Sequence, residues 1–154
     1  MPRLRLTVID ETSPRVRLKR DRLQTLLERV LAEARIASAS LTVLLVDERA
    51  SARLHREYFG DPTATDVMSF PDGTPADRRG RLHLGDLAVC VAVARRQAAG
   101  HGMALSEELT LYILHGLLHL VGYDDHGARD LERMWAAQRR LLATVGIALA
   151  RTPG

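Results

Sequence analysis

The sequence predicts one small α+β domain over residues 1–154, a four-stranded mixed sheet packed with about five helices. Three observations carry that expectation. Apolar residues alternate with polar ones in some segments and recur at helical spacing in others. The segments follow the order β-α-β-α-β-β-α-α-α, which implies a mixed sheet with helices packed over it. The chain has 154 residues and is 46% hydrophobic, enough for one continuous core and too apolar for a disordered chain.

Taken in order, Arg3–Ile9 sets Leu4, Leu6 and Val8 against Arg3, Arg5 and Thr7, the period of a half-buried strand. Leu23, Leu26, Leu27, Val30, Leu31 and Ala34 then recur as the face of a helix. Leu41–Val46 is a short apolar run that suits a strand buried on both faces. Asp47 caps a helix running to about Tyr58, and Gly60, Asp61 and Pro62 end it.

Val67–Phe70 reads as the third strand, and Pro71–Arg81, rich in proline, glycine and arginine, as a surface loop. Leu84–Val91 is the fourth strand and Ala92–Ala99 a helix stopped by Gly100 and Gly102. Ser106 is the expected cap of the next helix, with Glu107 and Glu108 in its first turn. From Leu109 to Val121 that helix is apolar on nearly every side, the mark of a buried central helix. Gly122 stands where a left-handed stop belongs. The last helix carries Leu131, Met134, Trp135, Leu141, Leu142 and Val145 on one face.

Several classes are disfavoured. No stretch approaches the roughly 20 uncharged apolar residues of a membrane span. The N-terminus lacks a signal peptide's apolar region, so the cytoplasm is the expected address and no membrane partner is expected. Cys90 is the only cysteine, which excludes an intramolecular disulfide and a thiolate-rich structural metal site. The net charge is +3 and nearly all the basicity is arginine, Lys19 being the only lysine. Arginine suits planar recognition of phosphate, and equally it serves as a generic solubilising residue.

The chemistry concentrates at one place. His115 and His119 lie four residues apart, so both imidazoles leave one face of the central helix a turn apart, able to reach a single ion. Gly122 then turns the chain and lets the following loop bring His126 back over the helix end. Three neutral imidazoles and an open fourth position are the pattern of catalytic zinc. A metallopeptidase helix would read H-E-x-x-H, but the residue after His115 is Gly116, so that reading lacks its base. Gly116 instead offers bare backbone for a close neighbour.

The run His115-Gly116-Leu117-Leu118-His119-Leu120-Val121-Gly122-Tyr123-Asp124 resembles the signature of the bacterial YbeY family of metal-dependent endoribonucleases. Thr65-Asp66-Val67-Met68-Ser69-Phe70-Pro71 and Leu84-Gly85-Asp86-Leu87-Ala88-Val89 resemble two further segments of that family. The resemblance implies one zinc ion per chain on His115, His119 and His126, and single-stranded RNA as substrate. It also implies work on the 3′ end of small-subunit (16S) ribosomal RNA and in ribosome quality control, with the small subunit as partner. The rival reading is a ribosome-associated assembly factor with a structural zinc and little or no nuclease activity. A metal-dependent hydrolase of some small substrate is a second rival.

The sequence departs from the family pattern in three places. Asp125 is inserted before His126, which puts Asp124 and Asp125 in contention as ligands. Phe59 stands where the family has arginine, and His55 where it has asparagine. Arg56, nearby on the same helix, is the expected substitute on phosphate. The base candidates are Asp124, Asp125 and Asp66, beside a metal hydroxide and the RNA's own 2′-hydroxyl. Asp66 and Asp86 serve equally well as caps or backbone partners. Thr65 and Ser69 are expected to line the site. Tyr58, Phe59 and Tyr123 are able to stack on bases, but at least two of them are expected in the core. His55, His83 and His101 are expected to face solvent or bond locally.

Overall fold

The computed structural model describes residues 1–151. Its elements are β1 (Arg3–Asp10), α1 (Arg20–Glu33), β2 (Ser38–Val46), α2 (Glu48–Phe59), β3 (Val67–Pro71) and β4 (Leu82–Cys90). Three helices follow, α3 (Val91–His101), α4 (Leu105–Leu120) and α5 (Ala128–Ala143). The sheet order is β1-β2-β4-β3. β1, β2 and β4 run parallel, and β3 pairs antiparallel along the outer edge of β4. This is the α+β domain with a four-stranded mixed sheet and five helices that the element order implies.

Local chemistry sets most of the boundaries. Asp47 accepts the Ala50 N–H at 2.8 Å and caps α2, and Gly60 closes it in the left-handed region at φ 74°. β2 begins at Ser38, three residues before the apolar run, because Ser38–Ser40 pair with β1 and β4 although they are not an apolar stretch. α3 continues through Gly100 and stops at Gly102, φ 66°. Ser106 does not cap α4. The helix starts earlier, with Ala104 as its cap residue, whose N–H is taken by the Glu107 carboxylate at 3.0 Å.

Two glycines permit close approaches that fix where β3 and α4 lie. A bulge in β4 skips Leu84 in the pairing with β2, and Gly85 there adopts φ 145°. A Cβ at Gly85 would fall 2.3 Å from the carbonyl oxygen of Phe70, so only glycine lets β3 dock at this register. On α4, a Cβ at Gly116 would lie 2.7 Å from Cδ2 of Leu87, a fully buried β4 side chain. The helix therefore rests directly on the sheet at that turn.

α4 is the centre of the molecule. It packs on β3 and β4 and is flanked by α1, α3 and α5. Every residue from Glu108 to Leu114 is buried, as are Gly116, Leu117 and Leu118. Glu108 is the one carboxylate in that stretch, with no exposed surface. Arg151 meets it with two parallel hydrogen bonds, Nη1 to Oε1 at 2.8 Å and Nη2 to Oε2 at 2.7 Å. Cys90 is buried and free. Among the described residues no helix is long and apolar enough to cross a membrane.

The Gly116 contact generates a signed prediction. Gly116→Ala gains up to about 1 kcal/mol of helix propensity but forces Leu87 out of a packed position, which costs about 1–3 kcal/mol. Urea denaturation should show a net loss of stability. In a Leu87→Ala background the same change should become neutral or stabilising, since the obstructing side chain is gone.

Candidate metal centre

His115 and His119 emerge where α4 leaves the core, and their Nε2 atoms lie 3.1 Å apart. The rings are set nearly edge to face, with centroids 4.7 Å apart. His115 donates its Nδ1–H to Oε1 of Gln138 on α5 at 2.7 Å. That bond fixes the tautomer and leaves Nε2 as a bare lone pair directed at the site. Burial pushes the His115 pKa below the ordinary imidazole value, against the opposing pull of the Gln138 bond and the Asp66 and Asp125 carboxylates. The side chain is therefore held neutral, the form that binds metal.

The next candidate donor is a carboxylate. Oδ2 of Asp125 lies 3.4 Å from Nε2 of His119 and 3.7 Å from Nε2 of His115. The three ligand atoms fall within 4.8 Å of one another. Two imidazoles and one carboxylate, with the Gln138 amide already orienting one ring from behind, suit a divalent metal ion. The chemistry of this donor set fits a resident ion.

His126, expected over the helix end, is instead 89% exposed, and its Nδ1 lies 2.6 Å from Oδ1 of Asp124. The cause is local. Gly122 turns the chain at φ 113° as expected, but Oδ1 of Asp124 then accepts the N–H groups of Asp125 and His126, at 2.7 and 3.2 Å. The resulting turn sends Asp125 inward and His126 outward. Asp124, bound up in that turn, faces the loop rather than the imidazoles.

A cleft of about 510 Å³ opens beside the donors. His115, His119, Leu120 and Asp125 form one side, and Thr65 through Ser69 with Pro71 form the other. The expected Thr65, Asp66 and Ser69 all line it. Oδ1 of Asp66 accepts the Val67 N–H at 2.7 Å and the Thr65 hydroxyl at 3.3 Å, so the turn-capping reading of this residue holds for that oxygen. Oδ2 has no hydrogen-bond partner among the described residues. The Ser69 hydroxyl donates to the Gly116 carbonyl at 3.4 Å, tying the cleft wall to α4. Asp86 stands away from the cleft beside His83.

A family model described as Endoribonuclease YbeY matches residues 8–146. The chain belongs to the YbeY family. It is similar to the Endoribonuclease YbeY of Kineococcus radiotolerans, 48% identical over 120 residues that cover 73% of this chain and 69% of the relative. The Endoribonuclease YbeY of Halorhodospira halophila is 41% identical over 131 residues, 82% of this chain and 83% of the relative. That of Thermus thermophilus is 38% identical over 122 residues, 79% and 88% of the two chains. The fold is shared with the solution structure of TM1509 from Thermotoga maritima, at TM-score 0.59 and 24% identity, covering 91% of this chain and 88% of that one. All three segments that resemble the YbeY family meet at one place: the histidine helix, the Thr65–Pro71 wall, and β4, whose Gly85 and Leu87 seat the other two.

Three departures from the sequence reading bear on the YbeY-family site. Arg56 is exposed on α2 and does not line the cleft; His55 and Phe59, one turn apart, do. Of the three aromatic residues, only Tyr123 packs against the core, while Tyr58 and Phe59 are exposed. Gln138 was not anticipated, although it carried a signal. It falls on the apolar face of α5 between Met134 and Leu141, where an amide needs a specific partner. Of the other histidines, only His55 bonds locally, to Thr63; His83 bonds to Ser40 and the exposed His101 to Arg151, 43 and 50 residues away.

Gln138→Met removes the acceptor while keeping the bulk. Competition with a chromogenic chelator should show metal affinity falling by about ten- to hundredfold. The metal-free protein should lose about 1–3 kcal/mol, since the His115 N–H is left without its partner. Unchanged affinity would mean that Gln138 does not orient the ligand.

Proposed function

We propose that residues 1–154 form a single cytoplasmic domain, a zinc-dependent endoribonuclease specific for single strands. In this reading it matures the 3′ end of small-subunit ribosomal RNA and takes part in ribosome quality control, with the small subunit as its partner. The observation that carries the reading is the convergence of His115, His119 and Asp125 at the mouth of a cleft, on a helix bearing the family signature. The relatives named Endoribonuclease YbeY support the reaction class.

Zinc bound there would supply Lewis acidity toward a phosphoryl oxygen and lower the pKa of a coordinated water. The residues of the chain divide the remaining work. His115 and His119 present nitrogen donors, and Gln138 holds the first of them in register. Asp125 takes the third ligand position in preference to His126 and offsets positive charge. Asp66, with Oδ2 unengaged in the same cleft, accepts the proton of the attacking oxygen. Thr65 and Ser69 line the path of the strand. Gly116 stands where a metallopeptidase helix carries its glutamate, and its contact with Leu87 leaves no room for one.

The ligand assignment is tested by metal titration. Asp125→Asn should weaken zinc binding far more than His126→Ala does, and the reverse order would return the third position to the histidine. The function is tested on repurified protein with unstructured RNA. Chelation should abolish cleavage and added zinc should restore it, while Asp66→Asn should keep the metal and slow cleavage by roughly a hundredfold. Absence of metal-dependent cleavage in the wild-type protein would replace the enzyme reading with the assembly factor.

A further inference from the structure

The cleft contains no arginine or lysine among the described residues that line it. A strand of RNA entering it therefore meets no cationic side chain to hold its phosphates there. The wall opposite the donors offers something else. Tyr58 and Phe59 at the end of α2 are 61% and 55% exposed, two of only four large hydrophobic side chains left open to solvent among the described residues. They are not loose. Tyr58 meets the half-buried Phe70 of β3 edge to face at 5.0 Å, and Phe59 leans on the same ring at 6.2 Å. His55, one turn back, lies 5.6 Å from Phe59. Its Nδ1–H is committed to the Thr63 carbonyl at 2.7 Å, which fixes the ring and leaves Nε2 as an acceptor.

We infer that Phe59, braced by Phe70 and His55, is a stacking shelf for an unpaired nucleobase next to the scissile phosphate. This deepens the endoribonuclease reading and rests on it for the identity of the strand. Stacking is the one strong contact such a wall can make with RNA, and it requires a base free of its complement. Phe59 lines the same cleft as His115, His119 and Asp66, so a base on the shelf and a phosphate at the donors belong to one short stretch of strand. His55, with Nε2 free to accept, adds a hydrogen bond to a base amino group or a ribose hydroxyl. The shelf makes preference for single strands a property of the cleft itself, since a paired base cannot lie flat on Phe59.

The test uses the zinc-loaded protein and a single-stranded RNA carrying 2-aminopurine, mixed in a stopped-flow instrument and read before cleavage. Wild-type protein should quench the fluorescence on binding. Phe59→Leu should abolish the quench and raise Kd roughly tenfold, whereas Phe59→Tyr should retain both. Phe59 is exposed at a helix end, so circular dichroism should show each variant folded. The dependence of Kd on salt should be the same in Phe59→Leu as in wild type, because no phosphate contact has been removed. An RNA with an abasic residue at the shelf position should bind wild type as weakly as the intact RNA binds Phe59→Leu. Wild-type affinity in Phe59→Leu, or equal binding of abasic and intact RNA, would overturn the shelf. Binding with quench but no cleavage would sink the nuclease and leave the shelf standing; cleavage by Phe59→Leu with unchanged KM would do the opposite.

Discussion

The contact between Gly116 and Leu87 sets the depth at which α4 lies on the sheet, and the rest of the site follows from that depth. With no Cβ in the way, the helix settles far enough for most of its middle to be buried. Polar side chains on it then need partners, as Thr110 finds in the Ser106 carbonyl at 2.7 Å. Glu108 at one end needs a partner and finds Arg151. His115 and His119 at the other end emerge together beside β3. The same packing brings α5 close enough for Gln138 to reach His115. One small residue thus governs the seat of the helix, the aim of its imidazoles and the exclusion of a glutamate from its own position.

The cleft divides by chemistry. Nitrogen and carboxylate donors gather on the α4 side, backbone-held Asp66 and two hydroxyl residues line the β3 side, and aromatic surface lies toward α2. Positive charge is displaced elsewhere: Arg3, Arg5, Arg79 and Arg81 surround a separate surface hollow at the start of the parallel strands. A divalent ion would be the strongest positive charge near the cleft, which concentrates the attraction for phosphate at one point.

Element order was legible because the segments show either a clear apolar period or an unbroken apolar run, and Asp47, Gly60 and Gly122 mark their helix ends with unambiguous chemistry. The histidine pair was legible for the same reason, since helical spacing alone brings the two rings together. Which of Asp125 and His126 faces the imidazoles was not. The outcome depends on which N–H groups the Asp124 carboxylate captures, a choice made by the turn and not by spacing. At least two of Tyr58, Phe59 and Tyr123 were expected in the core, yet the α2 face that carries the first two ends beyond it, backed by Phe70. Arg56 and Phe59 are close in helical angle, but the cleft wall takes the latter together with His55. Such outcomes turn on which side of a helix meets a neighbour, and that is decided by tertiary packing.

The pairing of Glu108 with Arg151 joins residues 43 positions apart, across the whole of α4 and α5. During synthesis the carboxylate emerges long before its partner. A buried carboxylate without a counter-charge is costly by several kcal/mol, so until residue 151 can reach it the first turn of α4 must stay hydrated. The nascent chain can assemble its sheet and most of its helices, but it closes over Glu108 only when Arg151 arrives.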